Sequence, residues 1–333
     1  MQASVFVTGG SGFVGRALIQ ELTTRGVKVR ALARSDKAID TVRALGATAV
    51  RGDLADSAAM HAGMADCAGV IHAAAKVEDW GRRAEFQSVT IDGTRNALSA
   101  ARAAGVPRFV HIGTEAVLAG GKPIIRADET TPYPPVPNGL YPWSKGQAER
   151  DVIAANTPSL ATISVRPRFI WGRGDTTLLP QLTAAMRKGN WAWFGGGTHL
   201  MSTCHIRNVV EGTLLALEKG RGGEIYFLTD GEPVQFRDFI TRLVATQNVQ
   251  APARVAPMWL LQALAAIGEQ VWTSFNLAGR PVMTRTAVNL LFDEVTVVDR
   301  KARAELGYSS HVSIAQGLAE LHEDYLASLQ GKI

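Results

Sequence analysis

The chain has 333 residues, of which 46% are hydrophobic and 20% charged, a balance typical of a globular protein with a sizeable core. Its net charge is +5, but the lysines and arginines are scattered and form no basic run, so we expect no nucleic-acid partner. Cys67 and Cys204 lack metal-ligand spacing; we predict no metal site and expect two packing residues in a reducing, cytoplasmic environment. No apolar run reaches the ~18 residues of a membrane span, and a strand pattern at the N-terminus predicts no signal peptide.

Strand patterns alternate with helix patterns through the first half of the chain. We predict strands at 4–7, 27–33, 47–51, 69–75, 108–113 and 161–167, and helices that include 82–105 and 141–155. This alternation predicts an α/β fold with a parallel, doubly wound, Rossmann-type sheet, whose ligands bind beyond the carboxyl ends of the strands. The pattern becomes irregular after about Phe169. We therefore predict a cofactor-binding domain at 1–168 and a smaller, mainly substrate-binding lobe at 169–333, with some of its elements returning to the sheet.

A glycine-rich turn lies between the first predicted strand and the first predicted helix. Its glycines are Gly9, Gly12 and Gly15. In a dinucleotide-binding turn, such glycines permit the tight bend, the approach of a pyrophosphate and the close packing of helix on strand. The N-terminus of the helix offers free N–H groups to the phosphates. Because strand, turn and helix occur together, the motif predicts a dinucleotide site.

A tyrosine, a lysine and a threonine form the predicted catalytic set. Tyr141 and Lys145 are four residues apart and so share one face of a predicted helix. A lysine cation beside a phenol is expected to lower the phenol pKa, which makes the tyrosine a usable acid or base. Thr114 follows the fifth predicted strand at the same sheet edge as the glycine turn, and its hydroxyl is expected to hold the substrate oxygen.

These motifs together resemble those of the extended short-chain dehydrogenases/reductases. Within that superfamily, the chain is most similar to the 3β-hydroxysteroid and sterol dehydrogenase group, with dihydroflavonol-reductase-like proteins close by. The matching segments are TGGSGFVG at 8–15, GDL at 52–54, IHAAA at 71–75, DGTRNAL at 92–98, RFVHIGT at 108–114, YPWSK at 141–145, RPRFIWGRGD at 166–175, HIRNVVEG at 205–212, DGEPV at 230–234 and ELGY at 305–308.

The resemblance implies a nicotinamide cofactor and catalytic roles for Thr114, Tyr141 and Lys145. Further cofactor-binding residues that it implies are Phe13, Val14, Asp53, Leu54, Ala73, Ala74, Pro167 and Ile170. The chain departs from the family pattern at three places: Thr114 stands where serine is usual, Thr90 where asparagine is common, and Arg207 or His205 where an aspartate is usual.

The end of the second predicted strand bears on the choice between NADP and NAD. An NAD site typically has Asp or Glu there, to bind the ribose 2′-hydroxyl. This chain has Arg34 and Lys37, and a guanidinium suits a 2′-phosphate. Asp36 could still reach a ribose. We therefore favour NADP(H) and leave NAD(H) open.

Other residues are candidates for contact with a small apolar substrate. Trp80, Trp143 and Trp171 are predicted near strand ends or the catalytic helix, where they could wall a pocket. Glu115 is a candidate extra base, although an exposed loop carboxylate is the more ordinary expectation. The apolar segment 254–293 predicts first a buried helix, and otherwise a hydrophobic lid or a peripheral membrane contact. A homodimer and a monomer both remain open.

The sequence therefore predicts an NADP(H)-dependent oxidoreductase that interconverts a secondary alcohol and a ketone on a bulky, steroid-like or flavonoid-like molecule. A nucleotide-sugar epimerase or dehydratase of the same superfamily is an alternative, but the Tyr-Gly pair and the Thr-Asp-Glu run typical of those enzymes are absent after Thr114. A non-enzymatic NADP-binding regulator is a further alternative, against which the complete catalytic set argues.

Overall fold

The computed structural model describes residues 4–275 and 277–330. Within them the strands are β1 Ser4–Thr8, β2 Lys28–Ala33, β3 Thr48–Arg51, β4 Cys67–His72, β5 Arg108–Ile112, β6 Ile124–Ala127, β7 Ala161–Pro167, β8 Ile170–Trp171, β9 Trp193–Phe194, β10 Leu200–Met201, β11 Cys204–His205, β12 Ile225–Leu228, β13 Val234–Gln235, β14 Val255–Ala256 and β15 Val295–Val297. The α-helices are α1 Phe13–Thr24, α2 Asp36–Ala44, α3 Ser57–Met64, α4 Arg83–Phe86, α5 Gly93–Ala103, α6 Leu140–Ala154, α7 Leu178–Arg187, α8 Ile206–Lys219, α9 Phe236–Ala245, α10 Met258–Ser274, α11 Arg285–Phe292, α12 Arg300–Leu306 and α13 Ile314–Gln330.

A seven-stranded parallel sheet organises the molecule, in the order β12-β7-β5-β4-β1-β2-β3. Strand β1 lies near its centre and is buried throughout, as its apolar sequence predicts. Apolar side chains of α1, α2, α8 and α12 cover one face, and those of α3, α5 and α6 cover the other. The predicted α/β, Rossmann-type fold is confirmed. Strand β12, from the second half of the chain, pairs with β7 at the edge of the sheet.

Two predicted elements differ from the structure. The helix predicted at 82–105 is α4 and α5 joined by a π-helical turn at Gln87–Asp92. The strand predicted at 69–75 ends at His72, because the next amides turn back to β1: the Ala73 N–H donates to the Thr8 carbonyl and the Ala74 N–H to the Thr8 hydroxyl, each at 3.3 Å. This turn carries the backbone of Ala73 and Ala74 over the glycine-rich loop.

The second lobe has its own core, formed mainly by helices α7, α9, α10, α11 and α13, and a four-stranded sheet β13-β10-β15-β6 joins its strands to β6 from the first half of the chain. Trp171 belongs to this core: its ring is fully buried against Phe239 and His205, and its Nε1 donates to Asp230 at 2.7 Å. The prediction that Trp171 walls a substrate pocket is therefore wrong, because the ring is used entirely for packing.

Helix α10 is the other correction in this lobe. The first expectation for the apolar segment 254–293, a buried helix, is wrong for α10, where only Leu261 and Ala265 are buried. Trp259 is 67% exposed, Leu264 56% and Ile267 63%. The helix therefore presents an apolar stripe to solvent beside its buried one. In the part of the chain described here, no helix has the length and hydropathy needed to cross a membrane.

Candidate active site

The glycine-rich turn has the shape that a dinucleotide pyrophosphate requires. Gly9 adopts φ +70°, and a Cβ on it would lie 2.7 Å from the Ala74 nitrogen; one on Gly15 would lie 2.1 Å from the Gly9 carbonyl oxygen. Gly12 caps α1 with no side-chain hydrogen bond, so the first amides of the helix, including those of Phe13 and Val14, have no side-chain acceptor. The residues present therefore fit a phosphate-bearing cofactor.

The end of β2 places basic groups where the ribose side of a dinucleotide would lie. Arg34 and Lys37 are exposed, and neither has an ion-pair partner among the described residues. Asp36 is paired with Arg51, which lies at the end of the neighbouring strand β3. This pairing directs the Asp36 carboxylate toward a cation rather than toward a ribose. Arg51 is a further basic residue at this edge, and the sequence did not single it out.

The remaining predicted cofactor residues lie at strand ends, three of them in the seven-stranded sheet and Ile170 in the separate two-stranded sheet β11-β8. Asp53 follows β3, and its carboxylate accepts the Ala55 N–H at 2.8 Å. Leu54 packs against Gly93, where a Cβ would lie 2.7 Å from the leucine Cδ1. Pro167 is the last residue of β7 and Ile170 the first of β8. No contact in the structure assigns these four a ligand, so their roles stay predictions.

The predicted catalytic residues meet where β5 ends and α6 begins. Thr114 follows β5 and is buried, and Tyr141 lies in the first turn of α6. One turn later, the Lys145 Nζ donates to the Ile112 carbonyl at 2.6 Å and lies 3.1 Å from the His111 Nε2. Hydrogen bonding by Thr114 acts to lower the pKa of the Tyr141 phenol. The structure thus brings the three residues together.

The pKa of Tyr141 corrects one expectation. Burial, and then the Glu115 charge, raise it to about 12, outweighing the contact with Thr114. The predicted lowering by Lys145 is absent, since the ammonium group is directed to the β5 backbone and His111. Without a ligand, the phenol is protonated at neutral pH and is therefore a proton donor.

Lys145 is itself perturbed. Burial lowers its pKa to about 8, while the charge of Glu149, one turn further along α6, acts to raise it. Glu149 is fully buried and pairs with Arg166 of β7, with 2.6 Å between Oε1 and Nη2. Burial acts to raise the Glu149 pKa, but Arg166, with Ser164 and Tyr133, lowers it overall. The Glu149 carboxylate of this buried pair is thus the charge that acts to raise the Lys145 pKa.

Glu115 is not the exposed loop carboxylate that the sequence made the ordinary expectation. It is buried, its Oε1 lies 3.2 Å from Arg168 Nη1, and its Oε2 accepts a hydrogen bond from the Thr114 hydroxyl at 2.8 Å.

Trp80 and Trp143, the other candidate substrate residues, are both half-buried, and the Arg83 guanidinium lies 3.9 Å from the centre of the Trp143 ring. Their proposed contact with substrate stays a prediction.

Sequence reasoning missed three residues around this site: Arg166, Arg168 and the role of His111 beside Lys145. A signal was available for the arginines. They alternate across a strongly apolar strand pattern at 161–169, and a buried guanidinium needs a carboxylate partner. The partners, Glu149 and Glu115, are distant in sequence, so only the fold identifies them.

Fold and site together define an extended short-chain dehydrogenase/reductase: a parallel Rossmann sheet, a glycine-rich cofactor turn, and a tyrosine and lysine on one helix beside a strand-end hydroxyl. Residues 6–258 match the model of the 3-beta hydroxysteroid dehydrogenase/isomerase family. The chain belongs to this family and is an NAD(P)-dependent dehydrogenase acting on CH–OH groups.

Similar proteins extend along almost the whole chain. A 4-hydroxy-2-methyl-3-oxo-4-farnesyl-3,4-dihydroquinoline-1-oxide ketoreductase from Stigmatella aurantiaca is 48% identical over 318 residues, which are 96% of this chain and 95% of that protein. A decarboxylating sterol-4-alpha-carboxylate 3-dehydrogenase from Dictyostelium discoideum is 36% identical, with coverages of 96% and 99%. The dTDP-glucose 4,6-dehydratase DesIV from Streptomyces venezuelae, solved with NAD and TYD bound, superimposes with a TM-score of 0.77 at 22% identity, covering 98% of both chains. This last likeness concerns the fold alone.

Proposed function

We propose that the protein is an NADP(H)-dependent ketoreductase for a bulky, apolar ketone, with Tyr141 as the proton donor. The observation that carries the proposal is that Thr114, Tyr141 and Lys145 lie together where β5 ends and α6 begins, with Thr114 and Lys145 buried and the pKa of the Tyr141 phenol raised to about 12. A protonated phenol is the form that ketone reduction needs. The ketoreductase activity of the 48%-identical relative supports the same direction.

Each residue has a distinct task in this reaction. Tyr141 gives its proton to the carbonyl oxygen as the carbonyl carbon gains hydride, so that a ketone, one hydride and one proton become a secondary alcohol. Thr114 contacts the phenol and lies beside the substrate oxygen. Lys145, charged below its pKa of about 8, would offer its ammonium group to the ribose hydroxyls of the cofactor. When bound, the reduced nicotinamide supplies the hydride.

Preference for NADP(H) over NAD(H) rests on the end of β2. Arg34 and Lys37 have no ion-pair partner among the described residues, whereas the one carboxylate nearby, Asp36, is paired with Arg51. A 2′-phosphate would find two cations there, and Arg34 could bind it through a forked guanidinium. This supports NADP(H).

The apolar nature of the proposed substrate rests on α10. Its exposed stripe of Leu260, Leu264 and Ile267 belongs to a hairpin with α11, held by Glu269 and Arg285 at 2.6 Å. Helix α11 borders the catalytic helix, since the Thr286 hydroxyl donates to the Asn138 carbonyl at 2.6 Å, three residues before Tyr141. An apolar surface on the hairpin that borders the catalytic helix suits an apolar substrate and offers a charged sugar nucleotide little stabilisation.

Nucleotide-sugar dehydration is the second candidate, because enzymes of that activity share the fold. The contacts of Glu115 disfavour it, since both carboxylate oxygens are already engaged, one with Arg168 and the other with Thr114. One experiment separates the two candidates: oxidation of NADPH and NADH measured against bulky aryl, sterol and prenylated ketones, with dTDP- and UDP-glucose in parallel. We expect turnover of an apolar ketone with NADPH. Conversion of a sugar nucleotide without net oxidation of cofactor would contradict the proposal.

A further inference from the structure

The contact between His111 and Lys145 is buried at the centre of the site. His111 is 0% exposed and Lys145 3%, and 3.1 Å separates the lysine Nζ from the histidine Nε2. The same Nζ donates to the Ile112 carbonyl at 2.6 Å. Both partners belong to β5, so this strand takes two of the three hydrogens of the ammonium group. One hydrogen remains for a ligand.

The charge of Lys145 determines where His111 carries its hydrogen. An ammonium group only donates hydrogen bonds, so the histidine Nε2 is the acceptor in this contact. Burial, and then the nearby lysine charge, hold the His111 pKa well below its ordinary value, so the ring is neutral and its one hydrogen lies on Nδ1. This Nδ1 is buried and has no hydrogen-bond partner among the described residues. A buried donor without an acceptor is uncommon and costs free energy.

The neighbouring histidine has no such unpartnered atom. His72 lies on β4, and its ring stacks on that of His111 with 5.6 Å between the ring centroids. Its Nδ1 bonds the Thr8 hydroxyl at 2.8 Å, and its Nε2 bonds the Thr94 hydroxyl at 3.0 Å. The two histidines therefore share one environment but differ in hydrogen bonding, and only His111 is bonded to a lysine.

Loss of the lysine charge removes the unpartnered hydrogen if the histidine changes tautomer. When the Lys145 ammonium gives a proton to solvent, the amine keeps two hydrogens and gains a lone pair. With its hydrogen on Nε2, His111 donates to that lone pair, and its Nδ1 then carries no hydrogen. Lys145 still donates to Ile112, so one N–H remains for a ligand in either charge state. Histidine suits both states because its Nε2 can accept or donate.

We propose that His111 is a positioning residue that holds Lys145 on β5 in both charge states, by accepting a hydrogen from the ammonium group and by donating one to the amine. The ring hydrogen lies on Nδ1 in the first state and on Nε2 in the second. The consequence for catalysis rests on the proposed function: Lys145 keeps one N–H for the ribose hydroxyls of the cofactor on either side of its pKa. His111 acts through Lys145 and touches neither cofactor nor substrate.

Among the groups around this pair, Lys145 is the one expected to titrate near neutral pH. The other titratable or charged groups are His72 on β4, Glu115 after β5, Tyr141 and Glu149 on α6, and Arg166 and Arg168 in and after β7. Burial lowers the His72 pKa to about 3 and raises that of Tyr141 to about 12, whereas it lowers that of Lys145 to about 8.

The position of the ring hydrogen can be measured in ligand-free protein labelled with ¹⁵N-histidine. Long-range ¹H–¹⁵N correlations distinguish a ring nitrogen that carries hydrogen from one that does not, and His111→Gln identifies the His111 signals. Between about pH 6 and pH 10, which brackets the ordinary pKa values of histidine and lysine, we expect the hydrogen to move from Nδ1 to Nε2. The midpoint should lie near the Lys145 pKa of about 8. A hydrogen that stays on one nitrogen, or a doubly protonated ring, overturns the proposal.

His72 and the Lys145→Met variant are the controls. His72 should keep one tautomer through the titration, because hydroxyl groups bond both its nitrogens. Methionine is an unbranched side chain that does not titrate, so the His111 tautomer should not change with pH in Lys145→Met. An equal change in that variant overturns the proposal, since another group would then be the cause. These spectra need no turnover. The expected change in a protein that reduces no ketone supports the proposal and contradicts the proposed function alone.

The pH dependence of ketone reduction gives a second readout, which a packing role alone would not move. His111→Phe keeps a ring against His72 and removes both nitrogens. A charge-assisted hydrogen bond is about twice as strong as a neutral one, so the loss disfavours the ammonium more than the amine. The decline of kcat/KM with rising pH should therefore shift to lower pH by about half a unit to one unit. His111→Gln, whose amide can accept or donate, should restore the profile. A lower melting temperature in His111→Phe with an unmoved pH profile overturns the proposal.

Discussion

Replacing Glu149 with glutamine should reduce both the stability of the protein and the pKa of Lys145. The Glu149 carboxylate is 0% exposed and accepts hydrogen bonds from Arg166, Tyr133 at 2.7 Å and Ser164 at 2.7 Å. The substitution leaves the Arg166 charge buried without a countercharge, which costs about 3–5 kcal/mol. Because the Glu149 charge acts to raise the Lys145 pKa, its loss should move that pKa below about 8.

Two measurements check this prediction, with Glu21→Gln as the matched control. Denaturant unfolding at pH 7 should show the loss of about 3–5 kcal/mol, against about 0–1 kcal/mol for Glu21, whose pair with Arg25 is exposed. In the reduction direction, kcat/KM should decline as pH rises through the Lys145 pKa, and Glu149→Gln should shift this decline to lower pH. The reasoning is refuted if the variant loses under 1 kcal/mol. It is also refuted if stability falls while the pH profile stays in place.

Two further substitutions test the cofactor and substrate assignments. Arg34→Asp should lower kcat/KM for NADPH by about 10- to 100-fold relative to NADH, through loss of a charge-assisted contact of about 1.5–3 kcal/mol. Arg43→Asp, at the other end of α2, is the control. If Arg34→Asp leaves the NADPH-to-NADH ratio of kcat/KM unchanged, Arg34 does not bind the 2′-phosphate. Leu264→Ser and Ile267→Ser should raise KM for large apolar ketones about five-fold or more without changing the melting temperature, because both side chains are more than half exposed. The buried Leu261→Ser should instead lower the melting temperature. If the exposed variants leave KM unchanged but abolish sedimentation with lipid vesicles, the stripe is a membrane contact and not a substrate surface.

Local sequence patterns were sufficient for the fold of the first half. Strand β1, the glycine-rich turn and α1 can each be predicted from local sequence. The hydrophobic periodicity, the turn glycines and the helix signals all lie within a few residues of one another. The proximity of Thr114, Tyr141 and Lys145 was predictable for the same reason: each stands in a motif that a parallel sheet brings to one edge. The end of β4 was not predictable, because it depends on hydrogen bonds from the Ala73 and Ala74 amides to Thr8, a residue in another strand.

The electrostatics of the site could not be predicted from spacing. Two residues on one face of α6 suggested a lysine that lowers the phenol pKa, but the structure aims the Lys145 ammonium at the Ile112 carbonyl. The Tyr141 pKa is set by burial and by Glu115, whose own position depends on Arg168 in a different strand. Helix α10 shows that burial is equally hard to predict from sequence. An apolar pattern alone does not state which stripe the rest of the fold will cover.

The central claim is that Tyr141 donates the proton in a nicotinamide-dependent ketone reduction, and Tyr141→Phe tests it most directly. The substitution removes the titrating hydroxyl and keeps the ring, so NADPH binding, followed by fluorescence, should be unchanged. Single-turnover hydride transfer from bound NADPH to an apolar ketone should fall by about 10²-fold or more, the size of a general-acid contribution. Hydride transfer within a few-fold of the unmodified protein would contradict the account.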